Sequence, residues 1–340
     1  MIKGKEMKMK YYILCLIFFA CSTKKGDLFE EHFTIPRHSA TSPINYENPH
    51  KSLVGKNEKI AVIIEPRQHK GLPVVVRNVL RNLDASWSVQ IFHGIGNLTW
   101  LKEELKEELK EGRIYLTKIL VTNLTLLDYN HIMLSVDFWE NVIGERVLLF
   151  ETDSALCDHS AHKIEDFLSY DYIGAPWQPK YQPQFGCIIY RSNTDSSIHY
   201  VVDVADRIEK ERFQKSSLEK VFSATLSSGV GNSGLSLRSR KKTLEVLKQY
   251  IPVSAMFKEK INDLFYSCVM NYPDSAMVAP TREKAASFSV ESVQTDSPFG
   301  FHKSWIYESI DQKRLQATCP DYATVKKLYR EDKSASFLPQ

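Results

Sequence analysis

What this sequence lacks narrows its function before any motif is read. It has no Cys-x-x-Cys pair, so its cysteines offer no zinc-ligand spacing. It has neither a P-loop lysine motif nor a catalytic Ser-His signature, which argues against a phosphotransferase or hydrolase of those kinds. It lacks an excess of one charge: the net charge is +3 over 340 residues, with no concentrated basic stripe, so no nucleic-acid polymer is expected as a partner. It also lacks a long hydrophobic run. The uncharged stretch Tyr11–Cys21 is too short for a bilayer, which needs about 20 apolar residues.

What is present suits a large core. Hydrophobic residues make up 43% of the chain, enough for one large domain or two small ones. Lys3, Lys5, Lys8 and Lys10 precede the apolar run, and the small residues Ala20 and Ser22 close it. This reads as a secretory signal peptide over residues 1–22, with a short membrane anchor or a bacterial lipoprotein leader at Phe18–Cys21 as alternatives. Membrane contact is expected only through this segment, and the expected location is the secretory pathway (ER or Golgi lumen, or secreted). Asn97-Leu98-Thr99 and Asn123-Leu124-Thr125 are glycosylation acceptor patterns that fit such a route. Cys157, Cys187, Cys268 and Cys319 permit two disulfides in three pairings, or four free thiols.

Residues 23–57 are polar, with Pro36, Pro43 and Pro49, and read as a stem or linker. A regular alternation follows. Strands are predicted at Lys59–Pro66, Trp87–Gly94, Arg113–Leu120 and Arg146–Asp153, and helices at Leu72–Leu83, Asn97–Gly112 and Tyr129–Val142. The leucines of LKEELKEELKE recur every four residues, which makes an ordinary amphipathic surface helix. This order implies parallel βαβ units with helices on the sheet faces. After Asp153 the pattern loosens: a helix, short strand and turn over Ile164–Trp177, a strand near Gly186–Ser192, helical character over Asp203–Phe222, and a Gly-rich loop, strand and helix over Gly229–Tyr250. A helix carries Ile261–Tyr272, and Phe288–Trp305 has strand and turn character. The predicted domain is therefore 58–310, split into a nucleotide-binding half (58–153) and an acceptor half (154–310), with a peripheral charged tail at 311–340.

The fourth strand ends on Glu151-Thr152-Asp153-Ser154. Ligands of open α/β sheets sit outside the carboxyl ends of the strands, so these acids stand where a ligand would bind. On a straight strand they would share one face about 6.6 Å apart, wide for one small ion unless the chain bends at Ser154. Mg²⁺ or Mn²⁺ takes one or two carboxylates and completes its shell with water and substrate phosphates. A capped acidic turn would explain the same residues without a metal.

VLLFETDSALC, FLSYDYIGAPW, GVGNSGLSLRSRK, INDLFYSC and FSVE…PFGFHKSW, in that order, resemble the uncharacterised glycosyltransferase-like family called domain of unknown function 5672. Glu65–Arg67 and WSVQIFHG look similar too, so the resemblance spans about residues 58–307. It implies a GT-A-like fold, a Rossmann-like mixed, mostly parallel sheet flanked by helices. It also implies a nucleotide-sugar donor and a divalent metal. On this resemblance Asp153 is the first metal ligand, Glu151 a second with its role open because the usual residue is Asp, and His302 a third. Gly231, Asn232, Ser233 and Gly234 resemble the loop that supports donor and acceptor. Asn262-Asp263 resembles a Glu-Asp pair that opens a helix, which leaves Asp263 as the candidate base and Glu291 in reserve. Arg67 is a candidate for the nucleotide phosphate or base, and Trp177 and Trp305 are candidates for stacking on sugar rings. The expected activity is metal-dependent sugar transfer from a nucleotide-diphosphate sugar to a hydroxyl of a glycan, protein or lipid acceptor. The alternative is a binding protein of the same fold that has lost turnover, suggested by Glu151 and Asn262.

Overall fold

The computed structural model describes residues 44–179, 186–226, 229–253 and 262–335. The expected leader and most of the expected stem lie outside the described residues. Among the described residues, nine strands and six α-helices lead from the amino end to Gln214: β1 (Tyr46–Glu47), β2 (Asn57–Glu65), α1 (Gly71–Asn82), β3 (Ser88–His93), α2 (Leu98–Glu104), α3 (Lys106–Lys110), β4 (Ile114–Ile119), α4 (Leu126–Met133), α5 (Val136–Asn141), β5 (Gly144–Phe150), β6 (Ser154–Leu156), β7 (Tyr172–Gly174), β8 (Gly186–Arg191), β9 (His199–Asp203) and α6 (Arg207–Gln214). Then come β10 (Glu219–Thr225), β11 (Leu235–Ser239), α7 (Arg240–Gln249), β12 (Tyr250–Pro252), α8 (Asn262–Asn271), α9 (Arg282–Phe288), β13 (Ser289–Val290), β14 (Gly300–His302), α10 (Gln312–Thr318) and α11 (Tyr322–Ala335).

The main sheet runs β1-β4-β3-β2-β5-β11-β7. Its centre is parallel (β4, β3, β2, β5), whereas β11 runs antiparallel to β5 and β7. This is the mixed, mostly parallel sheet flanked by helices expected of a GT-A-like chain. Strand alternation feeds both faces. Ala61 and Ile63 of β2 pack with Leu148, Phe150 and the α1 residues Leu72, Val75 and Val79. Ile60 and Val62 pack on the other side with Val147, Leu149, Phe138 and Trp139. Each such burial stabilises the fold by about 1.5–3 kcal/mol. Two smaller sheets follow the main one, β10-β8-β9-β12 and β13-β14-β6.

Several predicted elements differ. The helix expected over Asn97–Gly112 is broken at Leu105, whose φ of −112° and ψ of 28° leave the helical region while Leu101 and Leu105 both stay buried. The helix expected over Tyr129–Val142 is two, because the Ser135 side chain accepts the Phe138 N–H and starts a second helix there. Within the helical stretch expected over Asp203–Phe222, the residues from Glu219 instead form β10, which pairs with β8. The end of the expected stem joins the sheet: Tyr46 and Glu47 pair with Ile119 and Lys118. The segment expected to be peripheral is integral. Leu315, Cys319, Tyr322 and Val325 are buried, and Cys319 is bonded to Cys157. The second disulfide joins Cys187 to Cys268.

Candidate active site

The acidic triplet sits on a turn, not on a straight strand. β5 ends at Phe150, and the Glu151 carbonyl accepts the Ser154 N–H at 3.1 Å. The Ser154 hydroxyl donates to the same carbonyl at 2.9 Å and accepts the Glu151 N–H at 2.9 Å. The chain then enters β6, whose antiparallel pairing with β14 sets His302 opposite Ser154. The Lys303 N–H donates to the Asp153 carbonyl at 2.9 Å. A short turn and a short ladder thus bring residues 150 positions apart to one point. One ligand atom each from Glu151, Asp153 and His302 lies within 4.8 Å of the others.

The ring of His302 is held between acids. Its Nε2 is 3.4 Å from Asp153 Oδ1 and 3.6 Å from Glu151 Oε2, and its Nδ1 is 3.6 Å from Glu291 Oε1. Burial works to lower the imidazole pKa, but the Asp153 carboxylate and the other acids outweigh it and hold the ring well above its ordinary value. Burial works to raise Asp153, yet His302 and Lys303 keep that carboxyl below its ordinary range. Asp153 Oδ1, Glu291 Oε2 and His302 Nδ1 are buried without a hydrogen-bond partner. An acid-rich cluster with orphaned acceptors fits a divalent cation held by two carboxylates and an imidazole. Glu151 keeps 31% of its side chain exposed, so the cluster opens to solvent on that side.

The Gly-rich loop adjoins the cluster. Gly231 has φ +152°, and a Cβ there would press on the Asp263 carbonyl, Ser267 and Trp177. Asn232 Oδ1 accepts the Gly234 N–H at 3.1 Å. The Ser233 hydroxyl donates to Asp263 Oδ1. Gly234 lies against the His302 ring, where no side chain would fit. Asp263 is half-buried, and desolvation pushes its carboxyl up to about 6; Ser233 opposes the shift, Glu291 and Glu151 add to it, and Arg238 works against it. Asn262 does structural work: its backbone and side-chain amides donate to Asn130 Oδ1 at 2.7 and 3.0 Å. Glu291 stands behind the His302 ring and accepts the Tyr307 hydroxyl at 3.3 Å.

Other predicted residues have different partners. Arg67 forms a two-bond pair with Glu65 (2.9 and 2.8 Å) and a bond to Asp332 (2.9 Å), so its guanidinium is committed to carboxylates. Trp177 and Trp305 are buried in the core, Trp305 among Phe301, Tyr322 and Tyr329. Asn97 is fully buried and donates to the carbonyls of Glu65 and Arg67, so this acceptor pattern is closed to a glycan in the folded chain. Asn123 is exposed.

Sequence reasoning missed Tyr129 and Lys303. The Tyr129 hydroxyl bonds to Glu151 from α4, and burial together with the Glu151 charge pushes it well above the ordinary phenol value. Lys303 has φ +42°, a left-handed conformation rare for a side-chain-bearing residue. Its Nζ is 3.8 Å from Asp153 Oδ2 and 5.1 Å from the centre of the Tyr329 ring. No spacing signal marks either residue; only the position of Lys303 next to His302 could have drawn notice.

Fold and site together define an α/β protein, built on a mixed, mostly parallel sheet flanked by helices, with a Glu-Asp-His cluster able to hold a metal ion. Residues 117–302, more than half of the chain, match the family described as "Protein of unknown function (DUF5672)", and the chain belongs to that family. No curated protein matches the sequence. Among solved structures, the apo form of mouse xyloside xylosyltransferase 1 aligns at 10% identity and a TM-score of 0.38, over 72% of this chain and 96% of that one. The inositol-1-phosphate CTP transferase of T. maritima aligns at 10% identity and a TM-score of 0.33, over 80% of this chain and 96% of that one.

Proposed function

We propose that this protein is a metal-dependent glycosyltransferase that moves a sugar from a nucleotide-diphosphate donor to an acceptor hydroxyl. One observation carries the reading: the Glu151–Asp153–His302 cluster at the end of β5 adjoins a half-buried carboxylate, Asp263, held by Ser233. Glu151, Asp153 and His302 would hold Mn²⁺ or Mg²⁺, which would neutralise charge developing on a leaving diphosphate. Lys303, beside Asp153, adds a cation for the same phosphates. Asp263, with its carboxyl pushed up to about 6, is ionised at neutral pH and still basic enough to take a proton from an acceptor hydroxyl. Glu291 and Tyr307 orient the imidazole from behind. The two disulfides support a location in an oxidising compartment, consistent with a secretory route.

The test is incubation with a panel of nucleotide sugars and Mn²⁺, with and without chelator. Donor hydrolysis or transfer that disappears on chelation supports the reading. Metal-dependent nucleotide binding without product would select a binding protein instead, and no nucleotide binding at all would remove both.

A further inference from the structure

Arg238, a cationic side chain, is fully buried in β11. Such a burial is costly unless the charge is matched. Among the described residues no carboxylate lies within ion-pair distance, and Nη1 has no hydrogen-bond partner. The guanidinium is instead stacked among rings, 4.4 Å from the centre of Tyr172, 4.6 Å from Tyr266 and 5.5 Å from Trp139. Its Nε donates to Ser236 Oγ at 3.1 Å and its Nη2 to the Tyr172 hydroxyl at 3.2 Å. The sheet needs no charge here, since β11 already packs through Leu235 and Leu237.

The bonds lead to the candidate base. The Tyr172 hydroxyl donates to the Gly231 carbonyl at 2.6 Å. A Cβ at Gly231 would lie 3.1 Å from the Asp263 carbonyl, so the loop runs close to the start of α8, and two residues on Ser233 donates to the Asp263 carboxylate. The groups whose charge reaches Asp263 come from several elements: Glu151 on the β5 turn, Glu291 after β13, Tyr172 on β7, Tyr129 on α4 and Arg238 on β11. Arg238 is the cation in that set.

We infer that Arg238 is a positioning residue for Asp263: it anchors the Gly231–Gly234 loop through Tyr172 and gives the half-buried carboxylate its positive counterpart. This deepens the reading of Asp263 as the base and rests on it. Tyr172→Phe breaks the bond to Gly231 and leaves the charge, whereas Arg238→Met removes the charge together with the guanidinium's bond to the Tyr172 hydroxyl. Arg238→Lys keeps a charge but loses the fork that reaches Tyr172.

The midpoint of Asp263 is measured in the metal-free full chain by ¹³C NMR of labelled aspartate, assigned through Asp263→Asn, so that no turnover is needed. Arg238→Met is expected to raise that midpoint by about one pH unit or more, the size of effect that losing a nearby opposite charge has on a buried carboxylate. In Tyr172→Phe and Arg238→Lys the midpoint is expected to stay near the parent value, while kcat falls roughly tenfold with donor KM little changed. A folded Arg238→Met whose Asp263 midpoint does not move overturns the inference. If Arg238→Met does not fold, unchanged kcat in both Tyr172→Phe and Arg238→Lys overturns it. A parent protein without transferase activity whose midpoint still responds to Arg238 sinks the transferase reading and leaves this one standing.

Discussion

The α-carbon of Gly234 lies against the imidazole of His302, so that a Cβ at 234 would overlap Nε2, Cδ2 and Cε1 of the ring. The loop that holds Asp263 and the histidine that faces the acidic turn are therefore packed as one unit. Gly234→Ala is expected to push the ring away from Glu151 and Asp153. Affinity for Mn²⁺, measured by calorimetry, should fall about tenfold or more, as it does when the support of a metal-binding histidine is lost. Gly96→Ala is the control, because a Cβ at Gly96 meets nothing within 4 Å. Equal Mn²⁺ affinity in both variants would refute the coupling.

Lys303 holds a left-handed backbone, φ +42°, while its Nζ stands 3.8 Å from Asp153. For a residue with a Cβ that conformation costs about 1 kcal/mol, and glycine avoids it. Lys303→Gly is therefore expected to keep the melting temperature within a few degrees while weakening nucleoside-diphosphate binding by roughly tenfold. Fluorescence titration with and without Mn²⁺ reads this directly. Parent-like affinity would remove Lys303 from the phosphate site.

Much of this architecture was legible because it is local. The runs at Lys59–Pro66 and Arg146–Asp153 announced buried strands, and two acids at the end of the second marked where a ligand would sit. The turn itself was only half legible. Ser154 closes it with three hydrogen bonds to Glu151, and nothing in a strand-like pattern fixes where pairing stops. The approach of His302 depends on β6 pairing with β14, which sets His302 opposite Ser154, 148 positions earlier, and no periodicity encodes that. For Arg67 a nucleotide and an ion pair explained the sequence equally well; the structure gives the ion pair, with Glu65 two residues before it and with Asp332, 265 residues away, which no local pattern reveals. The carboxy-terminal segment looked peripheral because its charged face dominates the pattern, whereas Tyr322 and Val325 supply a narrow buried stripe.

The bond between Cys157 and Cys319 spans 162 residues and ties the segment after β6 to the end of α10. The Cys187–Cys268 bond spans 81 residues and ties β8 to α8. Long loops gain most from closure in the chain-entropy account. Replacing either pair by alanines is expected to cost about 2–4 kcal/mol in urea unfolding. The Cys157–Cys319 replacement should also raise the protease sensitivity of the segment after Cys319 relative to the sheet, since that bond is its covalent tie to the domain. Unchanged stability in both replacements would count against these bonds forming.

Asp263 sets activity against stability. Its carboxyl is pushed up to about 6, chiefly by burial, against an ordinary 3.8. A carboxyl raised on folding favours the native state while it stays protonated, below the unfolded value, and that advantage is lost as pH climbs through the folded one. Above pH 7 the ionised group therefore costs the fold about 3 kcal/mol relative to a neutral isostere. Asp263→Asn should be more stable than the parent at pH 8, and the difference should vanish near pH 4, where both side chains are neutral. The same substitution should abolish transfer, since an amide accepts no proton from the acceptor hydroxyl. In the parent, the acid limb of kcat/KM should rise with unit slope through a midpoint near 6. Urea unfolding at the two pH values and the pH–rate profile give independent readings of one carboxyl. A variant as stable as the parent at pH 8 would show that Asp263 is not held ionised at a cost, and retained transfer would show that it is not the base.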